Sequence, residues 1–277
     1  MVKTKLIVIL SLFLLSSCKG FEYEWRKVDM DGSRTGCVAT RADNVSQAMG
    51  YITETGDYLS PCGKIYDSSS ITSKVAAIVL DAQPSMARVK KVIATSAEEL
   101  RLARHETKLS NWFVDLVMNK VEALSGKKID VGICNFGGIR VNMPKGEVLL
   151  DDMLSMFPFK NTVVYLELKG SELRNIFETM AATSFQALGG VNIIAENGKL
   201  TKAEIGGKPI EDDRYYSVAT ISFLLYGGDS LSLAENARNL KVYDEEIIDA
   251  VLEHVEGLSS EGKMITAPSD VRVTIVK

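Results

Sequence analysis

What most constrains this chain is a series of six short runs rich in β-branched and aromatic residues. They are "IDVGIC" (129–134), "VVYLEL" (163–168), "VNIIAE" (191–196), "LTKAEI" (200–205), "YYSVATI" (215–221) and "VRVTIV" (271–276). Runs of this length and composition, separated by turn residues, read as β-strands. Asn197-Gly198 between the third and fourth is a hairpin signal, because a two-residue hairpin turn needs positive φ. Helical patterns lie among the strands. "SELRNIFETMAA" begins with Ser171 as a candidate N-cap and carries Leu173, Ile176, Phe177 and Met180 on one face. "DEEIIDAVLEHV" has acidic residues at its start and Ile247, Ile248, Val251, Leu252 and Val255 inward. Such an order demands an α+β domain, with a mixed β-sheet covered by packed helices.

Two further helices are expected upstream. Val75, Ile78 and Val79 share a face from about Lys74; Pro84 then breaks or restarts the helix, and Met86, Val89 and Val92 continue the stripe. From Ser110 to Leu124, Phe113, Leu116, Val117, Val121 and Leu124 fall together, and Gly126 is placed to end the helix. Residues 19–73 are polar and turn-rich ("DMDGSRTG", "SPCGK", "DSSS"), which predicts a tether and a small irregular or hairpin-forming appendage ahead of a domain over 74–277.

The first eighteen residues stand apart. Lys3 and Lys5 precede the apolar run "LIVILSLFLL", which is too short to span a membrane as a helix. The ending Leu15-Ser16-Ser17-Cys18 resembles the bacterial lipoprotein signal, so Cys18 is expected to be lipidated and to hold the domain at the cell envelope. An ordinary secretory signal cut nearby is the alternative. Outside the cytoplasm, Cys37 and Cys62 could pair; Cys134 reads as a small core residue. A net charge of −4 gives no basic footprint, which argues against nucleic-acid binding driven by phosphate neutralisation.

Four loops carry chemistry. In "NFGGIR", Asn135 is followed by Gly137 and Gly138, which admit unusual backbone angles and remove side chains in a ligand's path, and by Arg140, whose planar fork suits phosphate or a ribose edge. "FPFKNT" offers Phe159 as a face for a flat base. "SFLLYGGDS" offers Phe223, then Gly227, Gly228 and Asp229, an acceptor suited to vicinal hydroxyls. "LARHETKLSNW" contributes Arg104 beside His105, Glu106 and Asn111. The bland readings are a tight turn, core aromatics and a helix cap. Together the loops suit gripping a nucleoside rather than breaking a bond.

The segments "ETKLSNW", "NFGGIR", "GEVLLDDMLSMFPFKNTVVYLELKGSELRNIFE", "ALGGV" and "IGGKPIEDDRYYSVATISFLLYGGD" resemble, in order and spacing, the C-terminal domain of the 5′-nucleotidase and UDP-sugar hydrolase family over about 74–277. The resemblance implies that Phe159 and Phe223 sandwich the base. It implies that Asn135 and Arg140 contact the ribose or phosphate side, and Asp229 the ribose hydroxyls. An arginine expected three residues before the glutamate falls on Ala103, with Arg104 next door, and the glycine expected after Gly-Gly-Asp is Ser230.

In that family a separate metallophosphatase domain performs hydrolysis with two divalent metals. This chain has two histidines, His105 and His254, and neither lies in a ligand cluster of the sequence. No catalytic residue or cofactor is therefore assigned to it. Three functions stay open. One is the substrate-specificity component of a split 5′-nucleotidase, with divalent metals in a separately encoded partner chain. Another is a stand-alone nucleoside- or nucleotide-binding lipoprotein serving salvage. The third is hydrolysis through a different site built from Glu106, His105 or Asp229.

Overall fold

The computed structural model describes residues 38, 40, 41 and 43–276. The signal segment, Cys18 and Cys37 lie outside them, as does any pairing of Cys37 with the exposed Cys62.

The appendage takes the hairpin form, one of the two its composition allows. A short helix, α1 (Val45–Met49), leads into a three-stranded antiparallel sheet of β1 (Tyr51–Ile52), β2 (Tyr58–Leu59) and β3 (Ile65–Tyr66). Helix α2 (Ile71–Asp81) packs against β1 and β2. It starts at Ile71 rather than Lys74, because the Ser70 side chain accepts from Ser73 N and caps it. A second short helix, α3 (Gln83–Met86), has Pro84 in its first turn, where the missing N–H costs nothing. The predicted helical stripe ends there. Val92 begins β4 (Val92–Ser96), whose partner is β6 (Gly146–Leu149).

Helix α4 (Lys108–Ser125) is the central prop. Thr107 and Ser110 form a reciprocal capping box at its start, and Gly126, at φ 67°, closes it. It buries Leu109, Trp112, Phe113, Val114, Leu116, Val117 and Val121. Beneath it lies a five-stranded sheet ordered β13-β7-β12-β5-β8, built from β5 (Val131–Cys134), β7 (Thr162–Lys169), β8 (Ala187–Gly189), β12 (Tyr215–Ile221) and β13 (Arg238–Glu246). The helix sits close because two strand positions are glycine. A Cβ on Gly132 would lie 2.7 Å from Met118 Sδ, and one on Gly189 would lie 2.4 Å from it. A second sheet, β11-β10-β9-β14, comprises β9 (Val191–Glu196), β10 (Lys199–Ile205), β11 (Lys208–Pro209) and β14 (Val273–Val276). Asn197 and Gly198 make the expected hairpin turn, at φ 49° and 75°.

The remaining helices are α5 (Leu150–Met156), α6 (Gly170–Ala182) and α7 (Ile247–Ser260). Two helix starts differ from expectation. Lys169, not Ser171, is the N-cap of α6, and Ser171 N donates to Asp212 O. Asp244–Glu246 belong to the end of β13, so Asp249 is the acidic residue in the first turn of α7.

Candidate functional site

Register decides which loops meet. Strands β5 and β12 run parallel, so their carboxyl ends share one end of the sheet. Strand β7 is antiparallel to β12, and β8 to β5, so their amino ends arrive at the same place. That end gathers four segments: 135–140, 157–161, 184–186 and 222–230. Carboxyl ends of strands are where open α/β sheets bind ligands.

Asn135 leaves β5 and opens a single 3₁₀ turn, Phe136–Gly138. It is 5% exposed, and its Oδ1 is buried without a hydrogen-bond partner among the described residues. Its amide fills the space above the glycine pair. A Cβ on Gly138 would come within 2.9 Å of Asn135 Oδ1, and one on Gly137 within 3.3 Å of Nδ2. Neither glycine has positive φ. The pair is therefore there for room, and the unusual backbone angles expected of it are absent. Arg140 is exposed, donates from Nη1 to Gly137 O at 3.2 Å, and holds its guanidinium carbon 5.8 Å from the Phe159 ring centre.

The two aromatics of "FPFKNT" part company. Phe157 is core, its ring centre 4.8 Å from that of Phe113 and tilted against it, whereas Phe159 is 46% exposed. Phe223 is 44% exposed on the loop that follows β12. Thr162 N donates to Ser222 Oγ at 3.0 Å, which ties the two aromatic loops together. After Phe223 the backbone turns left-handed at Gly227 (φ 97°), Asp229 (φ 46°) and Ser230 (φ 63°). Two non-glycine residues in that region store strain, a recurrent property of ligand clamps. Gly228 lies so close to Phe223 that a Cβ would meet its carbonyl oxygen at 2.1 Å.

A cavity of about 460 Å³ opens at this end, and Arg104, Gly137, Arg140 and Asp229 line it together. Phe159 and Phe223 stand outside its lining, while Asn135, Gly138, Gly227 and Gly228 shape the loops around it. The sequence reading missed Phe136, Phe185 and Gln186, which also line it. Gln186 Oε1 accepts from Phe136 N at 3.1 Å.

Glu106 and Asn111 serve the fold. The Glu106 carboxylate accepts from Arg272 N, Val273 N and Asn111 Nδ2 at 2.7–2.8 Å. Arg272, 6% exposed, forks onto Asp115 at 2.7 and 2.8 Å and bonds Asp270. This network pins the last strand to α4 and gives both Glu106 oxygens structural partners. His254 is half-buried, 6.1 Å from the Trp112 ring, and burial lowers its pKa. Among the described residues no three His, Cys, Asp or Glu side chains are grouped to hold a metal ion, so the residues present do not fit the family's metal centre.

The model of the 5′-nucleotidase C-terminal domain matches residues 85–235, more than half of the chain. The chain belongs to the 5′-nucleotidase C-terminal domain family. Among curated members, the silent protein UshA(0) of Salmonella typhimurium is 32% identical over 112 residues, 39% of this chain and 20% of that protein. Protein UshA of Escherichia coli is 27% identical over 132 residues, 45% of this chain and 24% of that protein. The fold is similar to the 5′-nucleotidase precursor from Thermus thermophilus, with a TM-score of 0.64 at 22% identity over 74% of this chain and 43% of that one. Haemophilus influenzae NAD nucleotidase follows, with a TM-score of 0.56 at 14% identity over 79% and 48%. The chain thus spans about a fifth to a quarter of these curated relatives and less than half of the solved ones.

Proposed function

We propose that this chain is the nucleoside- and nucleotide-binding, substrate-specificity component of a split 5′-nucleotidase, whose phosphoester hydrolysis is performed by a separately encoded metallophosphatase. The observation that supports the reading is the convergence of segments 135–140, 157–161 and 222–230 on one sheet end, where the Asn135 amide oxygen is buried without a hydrogen-bond partner among the described residues. The absence of a metal-holding cluster among the described residues fits a division of labour. In this reading Phe159 and Phe223 stack on the base, and Asp229 accepts from the ribose hydroxyls. Asn135, Arg140 and Arg104 face the ribose and phosphate. Gly137 and Gly138 leave room for the ligand, and Gly227 and Gly228 set the Asp229 loop. The divalent metals belong to the partner, and a lipid on Cys18 holds the complex at the bacterial cell envelope.

Helix α2 gives the partner a surface. Seven of its eleven residues are apolar, yet Ile71 and Ile78 are 80% and 72% exposed and Ser73 is its one buried residue. Ile71, Val75, Ile78 and Val79, all exposed, share one face, and an apolar face of that kind is normally covered. The test is phosphate release from adenosine 5′-monophosphate with Mn²⁺. The purified chain alone should release none above buffer. Steady release that Asp229→Asn abolishes would overturn the split assignment.

A further inference from the structure

The β8 end of the cavity carries a polar group to which nothing above gives a role. The β5–β8 register, with Cys134 opposite Ala187, brings Asn135 opposite Gln186 one step beyond the last paired residues. Residues so placed are near neighbours on one face of the sheet. The orientation of the Gln186 amide is fixed by chemistry. Phe136 N–H can only donate, so the atom that receives it is Oε1, and Nε2 is the end left over. Nε2 has no acceptor among the described residues, and Gln186 lines the cavity. Asn135 Oδ1, on the adjoining loop, is buried without a donor among the described residues, but Asn135 is not part of the cavity lining. The group left facing the cavity is therefore the Gln186 Nε2 donor. An acceptor atom of the ligand, such as a base ring nitrogen or a ribose oxygen, satisfies it.

Resting on the nucleoside reading above, we propose that Gln186 is a specificity-determining contact. Its Nε2 donates to an acceptor atom of the bound nucleoside. Gln186→Glu separates this role from a merely structural one. The carboxylate still accepts from Phe136 N–H and keeps the loop anchored, but its second oxygen repels the ligand acceptor that Nε2 attracts. Adenosine, being uncharged, keeps ligand charge out of the comparison.

The experiment is calorimetric titration of the purified chain and its Gln186→Glu, Gln186→Leu and Phe223→Ala variants with adenosine, 2′-deoxyadenosine and the deaza-adenosines lacking N1, N3 or N7, with a melting curve for each protein. Gln186→Glu is expected to bind adenosine about tenfold or more weakly at an unchanged Tm. The ligand group whose removal weakens binding to the native chain but not to Gln186→Leu is the one Gln186 contacts, on the base or on the ribose. If Phe223→Ala weakens adenosine while Gln186→Glu binds like the native chain, or if no ligand group couples to Gln186, the inference is overturned and the clamp survives. If the native chain binds none of these ligands, the nucleoside reading itself fails.

Discussion

Acid should unfasten this domain through one carboxylate, Glu167 on β7. It is 9% exposed and accepts from Tyr165 Oη at 2.6 Å, Arg238 Nε at 2.7 Å, Lys127 Nζ at 3.1 Å and Asn239 Nδ2 at 3.0 Å. Burial alone would raise its pKa; those four bonds outweigh burial and hold it at about 2. The folded pKa is depressed, so the stabilisation is fully present above the unfolded value, about 4.3, and is lost as pH falls toward 2. The gap corresponds to about 3 kcal/mol at most. Arg238 and Lys127 are about half exposed (52% and 53%) and screened by water, which brings the contribution nearer about 2 kcal/mol. Glu167→Gln should therefore lower Tm at pH 7 by roughly 4–8 °C, since 1 kcal/mol shifts a domain of this size by about 2–4 °C. Circular-dichroism melts of both proteins at pH 7, 4 and 3 should show the difference shrinking with acid. An equal Tm difference at pH 7 and pH 3 would refute the electrostatic account.

Other residues give sharp contrasts. Gly228→Ala forces a methyl to 2.1 Å from the Phe223 carbonyl and should cost about 1–3 kcal/mol, whereas Gly137→Ala, whose nearest atom is at 3.3 Å, should melt close to the native chain. Burial pushes the Cys134 thiol up, so in a chain lacking Cys18, Cys37 and Cys62 it should stay unreactive toward a disulfide reagent at pH 8 until denaturant is added. Ile78→Glu, on the exposed face of α2, should leave Tm within about 1–2 °C in a melting curve, since the side chain is 72% exposed.

Elements whose burial alternates were readable from the chain. Strand β9 follows the buried–exposed alternation its sequence shows, and the Asn-Gly turn after it closes the hairpin as expected. Strand β13 was not readable, because it is an edge strand with most of its residues exposed and a charged sequence, "RNLKVYDEE". Val92 misled differently. Its spacing from Met86 and Val89 mimics a helix, but Pro84 and the pairing with β6 turn that segment into a strand. At the site, glycine pairs and exposed aromatics announced three of the loops. Gln186 gave no such sign. Its partner, Phe136, is 50 residues away in sequence, and the strand that aligns them is three residues long. The glycines of "NFGGIR" also show that a correct position can rest on an incomplete reason, since their role is space rather than positive φ.

The nucleoside clamp is tested most directly by calorimetric titration of the purified chain with adenosine, beside Phe159→Ala and Phe223→Ala. Saturable binding that each substitution weakens by about fivefold to a hundredfold, the worth of one base–aromatic stack, is the predicted result. Adenosine binding unchanged by either substitution, or no binding by the native chain, would contradict it.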